Sequence, residues 1–150
     1  MEFKQNQVLQ EFDRISNLIN EFYHEIALKQ GLSDSAYEIL QAILVLGEGC
    51  TQTEICKYCY LNKQTVNSSV NKLRENGLID FTKGTGREIY IHFTKTGKEF
   101  VNEKILPIEQ AENDVFGEMT KEEQKEIVRL RLMNKYLDNF KAKVNNIINE

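Results

Sequence analysis

The feature that most constrains this chain is a change in the spacing of its apolar residues near residue 77. Before that point, apolar residues recur every three or four positions, which is the spacing of amphipathic helices. After it, two short apolar segments at 78–81 and 89–93 flank the glycine-containing stretch 83–87. The second segment alternates apolar and polar residues, so Ile89, Ile91 and Phe93 are expected on one buried face. The sequence therefore predicts helices followed by a two-stranded hairpin.

Two short helices precede the hairpin, and each has a recognisable start. Thr51 and Glu54 have the spacing of a capping box, in which each side chain satisfies a backbone N–H of the other residue. After a turn near 60–61, Asn62 is suited to cap a second helix that ends at 76–77. The buried face of this second helix is expected to consist of Val66, Val70 and Leu73.

Two longer helices are predicted before this pair. One begins near residue 6 and ends near residue 29; the next is capped by Ser33 and extends to Gly47. The first of them has an apolar stripe with alternating steps of four and three, made of Val8, Phe12, Ile15, Ile19, Phe22 and Ile26.

Two further helices are predicted after the hairpin. One starts at Thr94, runs for about 20 residues and is kinked or interrupted by Pro107. Thr120 and Glu123 form a second capping box, which opens the last helix. The last helix has a narrow apolar seam typical of packing against a long helical partner, made of Leu130, Met133, Leu137, Phe140, Val144 and Ile147.

This succession of elements predicts a mainly α fold. Helix, short turn, helix and basic hairpin form a winged helix-turn-helix with a two- or three-stranded β-wing, flanked by long N- and C-terminal dimerisation helices. We expect residues 32–98 to form the winged helix-turn-helix. Residues 1–30 and 99–150 are expected to form a helical dimerisation region, within a single intertwined domain.

The bulk composition limits the class of protein. The chain has 150 residues, a net charge of −4 and no apolar run of the roughly 18–20 residues that cross a membrane. Residues 51–98 are the exception to the acidity, because eight basic and four acidic groups give them a charge of +4. The N-terminus lacks the layout of a signal peptide, and three cysteines fit a reducing compartment. A cytoplasmic location is therefore expected.

The outward face of the second short helix favours contact with DNA. A helix fits the major groove, where short hydrogen-bonding and basic side chains meet base edges. That face has no acidic residue and no large apolar one, although an ordinary solvated face is the alternative interpretation. Its residues are Lys63, Gln64, Thr65, Asn67, Ser68, Asn71 and Lys72. The predicted DNA-contacting set is completed by Thr51 and by Lys83 and Arg87 on the wing.

The chain resembles the MarR family of transcriptional regulators over nearly its whole length. The stretch TQTEICKYCYLNKQTVNSSVNKLRENGLI is similar to that family's helix pair, and LSDSAYEIL is similar to the start of its second helix. In GREIYIHFTKTGKEF, Arg87, Thr94 and Gly97 keep the spacing of the family's wing. The family usually has Asp-x-Arg there, whereas this chain has Thr85-Gly86-Arg87, so the acidic partner of the arginine is absent.

The resemblance implies a homodimer that binds a pseudo-palindromic stretch of double-stranded DNA. It implies regulation of nearby genes, as a repressor or occasionally as an activator, and a wing arginine that reaches into the minor groove. Many proteins that the chain resembles also bind a small-molecule effector. Aromatic residues on the first two helices are candidates for such an effector pocket, although core packing is the other interpretation: Phe12, Phe22, Tyr23 and Tyr37.

The remaining chemistry-bearing residues point to no enzyme, no metal and no cofactor. The C-x-x-C motif of Cys56 and Cys59 lacks the second pair of ligands that a structural zinc site needs. Packing of these two residues and of Cys50 as small apolar groups is one interpretation, and thiol-based redox sensing is another. The alternative to a DNA-binding regulator is a winged-helix module that binds other proteins, which the overall acidity favours.

Overall fold

A computed structural model describes residues 4–86, 88–127 and 139–144. The chain divides into two compact units, 1–107 and 108–150. No helix in the described ranges is long and apolar enough to cross a membrane. The elements in chain order are α1 Gln7–Lys29, α2 Asp34–Leu46, α3 Gln52–Cys59, α4 Lys63–Glu75, β1 Ile79–Lys83, β2 Ile89–Phe93, α5 Lys95–Phe100, a π-helical turn Val101–Ile105, α6 Leu106–Glu118 and α7 Lys121–Ile127.

Short polar side chains cap the helix starts of the first unit, and two of these caps, Ser33 and Asn62, are the residues that the sequence predicts. The side chain of Asn6 accepts from the backbone at the start of α1, Ser33 does so for α2 and Asn62 for α4. α1 and α4 end before Gly31 and Gly77, which have φ of 73° and 72°. Glycine reaches this left-handed region without the steric cost that other residues carry.

The core of the first unit is built around α2. Tyr37, Ile39, Leu40 and Ile43 of this helix are fully buried, and α2 packs against α1, α3 and α4. The helix-turn-helix pair contributes its own predicted inward residues to the same core: Ile55, Val66, Val70 and Leu73. The buried residues of α4 therefore fix this helix against the core.

The wing is a two-stranded antiparallel sheet in which Ile79 pairs with Phe93 and Lys83 pairs with Ile89. An isolated bridge between Cys50 and Ile91 adds one residue in a third-strand position. The expectation of a buried face along all of β2 is wrong at one end. Ile91 is fully buried but Ile89 is 45% exposed, because Ile89 lies at the hairpin tip opposite the exposed Lys83.

The start of α5 is fixed against the end of α4. The Thr94 hydroxyl caps α5 by accepting from the Gly97 N–H and donates to the carbonyl of Gly77. A Cβ placed on Gly97 would lie 1.7 Å from the Leu78 carbonyl oxygen, so only glycine permits this approach. The predicted interruption of the following helix is present as the π-helical turn at 101–105, directly before the segment that contains Pro107.

The second unit contains the predicted second capping box. The Glu123 carboxylate accepts from the Thr120 N–H, and the Thr120 hydroxyl accepts from the Glu123 N–H, at the start of α7. Of the predicted apolar seam, Phe140 is exposed and Val144 is half-buried in the helical segment 139–144. Leu130, Met133, Leu137 and Ile147 lie outside the described residues.

Candidate nucleic-acid interface

The solvent-facing side of α4 carries the polar residues that the sequence singles out. Thr65 is half-buried, and the other six are exposed: Lys63, Gln64, Asn67, Ser68, Asn71 and Lys72. The opposite side is fixed by its apolar residues and by the buried Ser69, whose hydroxyl lies 2.8 Å from that of Ser35 on α2. The helix therefore presents one polar face to solvent, which is free of acidic residues over 63–72. The expectation of a face without any acidic residue is wrong in the last turn, where the exposed Glu75 lies four residues after Asn71 on the same side of the helix.

The first turn of α4 is set by Asn62, whose side-chain oxygen accepts from the Thr65 N–H at 2.8 Å. The preceding turn begins at Tyr60, which has φ of 55° and ψ of 21°. Nothing in the helical periodicity distinguishes Tyr60. The absence of glycine and asparagine between Cys59 and Asn62 is the sequence feature that points to a strained turn here.

Thr51 has a structural role that limits what else its hydroxyl can do. This hydroxyl donates to the Glu54 carboxylate at 2.9 Å and accepts from the Glu54 N–H at 3.3 Å. The Glu54 carboxylate also accepts from the Thr51 N–H at 2.8 Å, and this bond holds the pKa of Glu54 below its ordinary value. Thr51 thus lies half-buried beside a fixed negative charge.

The wing brings Lys83 into solvent at the tip end of β1. Arg87 lies outside the described residues. Across the hairpin, the Thr82 hydroxyl lies 2.8 Å from His92 Nε2. The Tyr90 hydroxyl donates to Glu88 at 2.8 Å, and this bond raises the pKa of Tyr90.

Some cations of residues 51–98 have a carboxylate partner, and others have none among the described residues. Arg74 lies 3.3 Å from the Asp80 carboxylate and 4.7 Å from the centre of the Phe81 ring, and Lys98 pairs with Glu48 at 2.9 Å. In the described ranges no such ion pair involves the lysines of the α4 face and the wing, which are Lys63, Lys72 and Lys83. The predicted interface therefore carries unpaired positive charge. Lys57 and Lys95, which lie outside it, likewise take part in none of the ion pairs of the described ranges.

The four candidate effector-pocket aromatics do not all meet. Tyr23 and Tyr37 line one cleft of about 130 Å³ together with Asp34, Glu38 and Gln41. Phe12 and Phe22 are not among its lining residues, and Phe22 is 62% exposed. Burial raises the pKa of Glu38, and one of its carboxylate oxygens is buried without a hydrogen-bond partner among the described residues.

The three thiols and His24 show no sign of a catalytic or metal site in the described ranges. Cys50 is buried, Cys56 and Cys59 are half-buried, and all three are free. The Cys59 thiol donates to the Glu38 carbonyl at 3.7 Å, and burial raises the pKa of Cys59 to about 11. His24 lies 2.8 Å from Asp34, which raises the pKa of His24. The described ranges contain no group of three or more side chains of metal-binding type.

The comparison with protein families finds a match over the segment that contains this interface. Residues 30–88 match the sequence pattern of the MarR family. The MarR segment contains α2, the helix-turn-helix pair α3–α4 and β1, and it ends just before β2. No curated protein matches the chain.

Solved structures extend the MarR fold beyond that segment. A MarR family regulator from Neisseria meningitidis has a TM-score of 0.75 at 23% identity, over 93% of this chain and 99% of that one. The Staphylococcus aureus MepR–DNA complex has a TM-score of 0.68 at 19% identity, over 84% and 93%. Bordetella bronchiseptica BpsR, whose DNA binding is regulated by 6-hydroxynicotinic acid, has a TM-score of 0.65 at 20% identity, over 89% and 98%. The chain thus has the MarR regulator fold.

Proposed function

We propose that this protein is a cytoplasmic, non-enzymatic transcriptional regulator, most simply a repressor, that binds duplex DNA as a homodimer. The proposal rests on one observation about the surface formed by the outer face of α4 and the wing. The exposed face of α4 is free of acidic residues over 63–72, and the lysines on it and on the wing have no carboxylate partner in the described ranges. Unpaired lysines are available to displace counterions from phosphate.

The proposed contacts divide between α4 and the wing. With α4 in the major groove, Gln64 and Asn67 have the side chains that bond adenine in a bidentate manner, while Lys63 and Lys72 reach phosphate. Lys83 and Arg87 would approach phosphates or a narrow A·T-rich minor groove. Base contacts would then supply specificity, and the wing would supply affinity.

The homodimer is supported by the apolar stripe of α1. Within the first unit, Ile15, Ile19 and Phe22 of this stripe are exposed, and a second copy would remove such residues from water. We propose that residues 1–30 and 99–150 form the dimer interface and that residues 32–98 bind DNA. Two copies of α4 related by a twofold axis would enter successive major grooves about 34 Å apart.

Regulation by a small molecule is proposed for the cleft lined by Tyr23 and Tyr37. This cleft lies between α1, in the proposed dimer region, and α2, which supports α4. A ligand that binds one dimer state more tightly than another would change the separation of the two recognition helices. The regulation of BpsR by a small aromatic acid is a precedent in a protein of similar fold.

DNA binding is tested by fluorescence anisotropy on duplex fragments from the protein's own genomic neighbourhood, with a random duplex as control, across a salt series. We expect a specific complex whose log affinity falls linearly with log salt concentration. The absence of any complex at low salt would reject the proposal and favour the protein-interaction module. Equal affinity for every fragment would retain DNA binding but reject operator recognition.

A further inference from the structure

Tyr60 has a left-handed backbone conformation, which is unfavourable for a residue that has a Cβ atom. It is the only residue other than glycine with a positive φ in the described ranges, at 55°. In this region the Cβ of an L-residue comes too close to the following carbonyl oxygen. The chain uses Gly31 and Gly77 with positive φ where α1 and α4 end, but it has tyrosine where α3 ends.

The Tyr60 side chain does not compensate by packing. It is 93% exposed, the largest exposed fraction of any large apolar side chain in the described ranges. A ring this exposed contributes almost no buried area to folding. Tyr60 therefore disfavours the turn through its backbone without stabilising the core. Such positions persist most often where a residue has a functional contact.

The position of the turn indicates what Tyr60 contacts. When a helix-turn-helix is bound to DNA, the first helix crosses the phosphate backbone and the second lies in the groove. The turn between them consequently lies near the phosphates at the edge of the groove. Tyr60 lies two residues before the cap Asn62 and three before the exposed Lys63. Tyrosine hydroxyls are among the groups that commonly bond phosphate oxygens.

We infer that Tyr60 is a DNA-backbone contact, whose phenol hydroxyl donates to a phosphate oxygen beside the groove occupied by α4. The inference rests on the proposed DNA binding. A neutral hydroxyl displaces no counterion, so this contact adds affinity without adding to the salt dependence. It also adds the same affinity on every sequence, because phosphates are common to all of them.

The test measures binding and thermal unfolding of the full chain for Tyr60→Phe and Tyr60→Gly. Both variants should bind operator and random duplex about three- to tenfold more weakly, the range for one lost hydrogen bond, with an unchanged salt slope. Tyr60→Gly should also raise Tm by about 2–4 °C, because it removes the backbone strain. Tyr58→Phe, on the 41% exposed tyrosine of α3, is the matched control and should change neither quantity.

Three results would overturn the inference. If Tyr60→Phe and Tyr60→Gly bind DNA as tightly as the wild type, the hydroxyl contacts no phosphate, even if Tm rises. A loss confined to the operator would make Tyr60 a base-reading residue instead. If the wild type binds no duplex at all, the proposed function fails and the inference fails with it.

Discussion

The Ile91 N–H donates to the Cys50 carbonyl across 2.9 Å, and the Ile91 carbonyl accepts from the Gly49 N–H across 2.7 Å. These two bonds connect the wing to the residues just before α3. Ile91 is also fully buried, so its side chain and its backbone both hold the wing in place. Ile91 thus helps to fix the position of the wing relative to the helix-turn-helix pair, together with the contacts of β1 with α4.

We predict that Ile91→Ala lowers the free energy of unfolding by about 2–4 kcal/mol, because it removes a fully buried side chain and leaves a cavity. Ile89→Ala is the matched control on the same strand. Ile89 is 45% exposed, so its replacement should cost less than about 1 kcal/mol. Urea unfolding of the two variants measures the difference. Equal losses would show that the tip of the wing is buried in solution.

A second prediction concerns the capping box of α3. Thr51→Ala should lower the free energy of unfolding by about 1 kcal/mol, since it removes the cap, whereas Thr51→Ser should retain most of it. Unfolding monitored by circular dichroism distinguishes the two. If Thr51→Ser binds DNA like the wild type at a temperature where both are folded, the hydroxyl suffices and the methyl group makes no DNA contact.

The same capping box predicts that the stability of the protein depends on pH under acidic conditions. The pKa of Glu54 in the folded protein is below its ordinary 4.5, mainly through the bond from the Thr51 N–H. The unfolded chain therefore takes up the proton first as the pH falls, and the stabilisation is lost as the pH drops from 4.5 through the folded pKa. Glu54→Gln should flatten the fall of Tm in this range. Glu75→Gln, at the exposed end of α4, is the control.

Mutations should distinguish the residues that contact bases from those that contact phosphates. Gln64→Ala and Asn67→Ala should each cost about 1–3 kcal/mol on the operator and relax discrimination at one position of each half-site. Lys83→Ala and Arg87→Ala should weaken binding to all sequences, and each should reduce the slope of log affinity against log salt concentration by about 1. Anisotropy on operator and random duplex at several salt concentrations checks both. An equal loss for Gln64→Ala on both duplexes would place the base-reading face elsewhere.

Much of this fold can be predicted from the sequence because its helix boundaries are set by residues that are close together in the chain. Asn62 and Ser33 cap their helices through bonds to residues three positions later, so spacing alone locates them. The exposure of Ile89 differs from the prediction because alternation with Ile91 is a local pattern, whereas burial depends on which end of the hairpin meets the helices. The strain at Tyr60 cannot be predicted from residue spacing either, because it arises from the φ angle of the backbone. The partners of Arg74 and Lys98 are likewise tertiary, so the charge of +4 counted for residues 51–98 includes two cations that are paired in the folded protein.

The last prediction concerns the dimer. Ile19 lies on the α1 stripe and is 51% exposed. Ile19→Asp would place a charge in an interface that, if obligate, buries about 2,000 Å² or more, and an unpaired buried charge is costly. Asn17→Asp adds the same charge about half a turn away on the same helix and is the matched control. We expect sedimentation to show a dimer for the wild type and for Asn17→Asp, and monomer or aggregate for Ile19→Asp. Operator affinity should fall with dimerisation, because one α4 alone contacts only a half-site. A folded wild-type monomer at micromolar concentration would contradict the homodimer. A dimeric Ile19→Asp would instead show that α1 lies outside the interface.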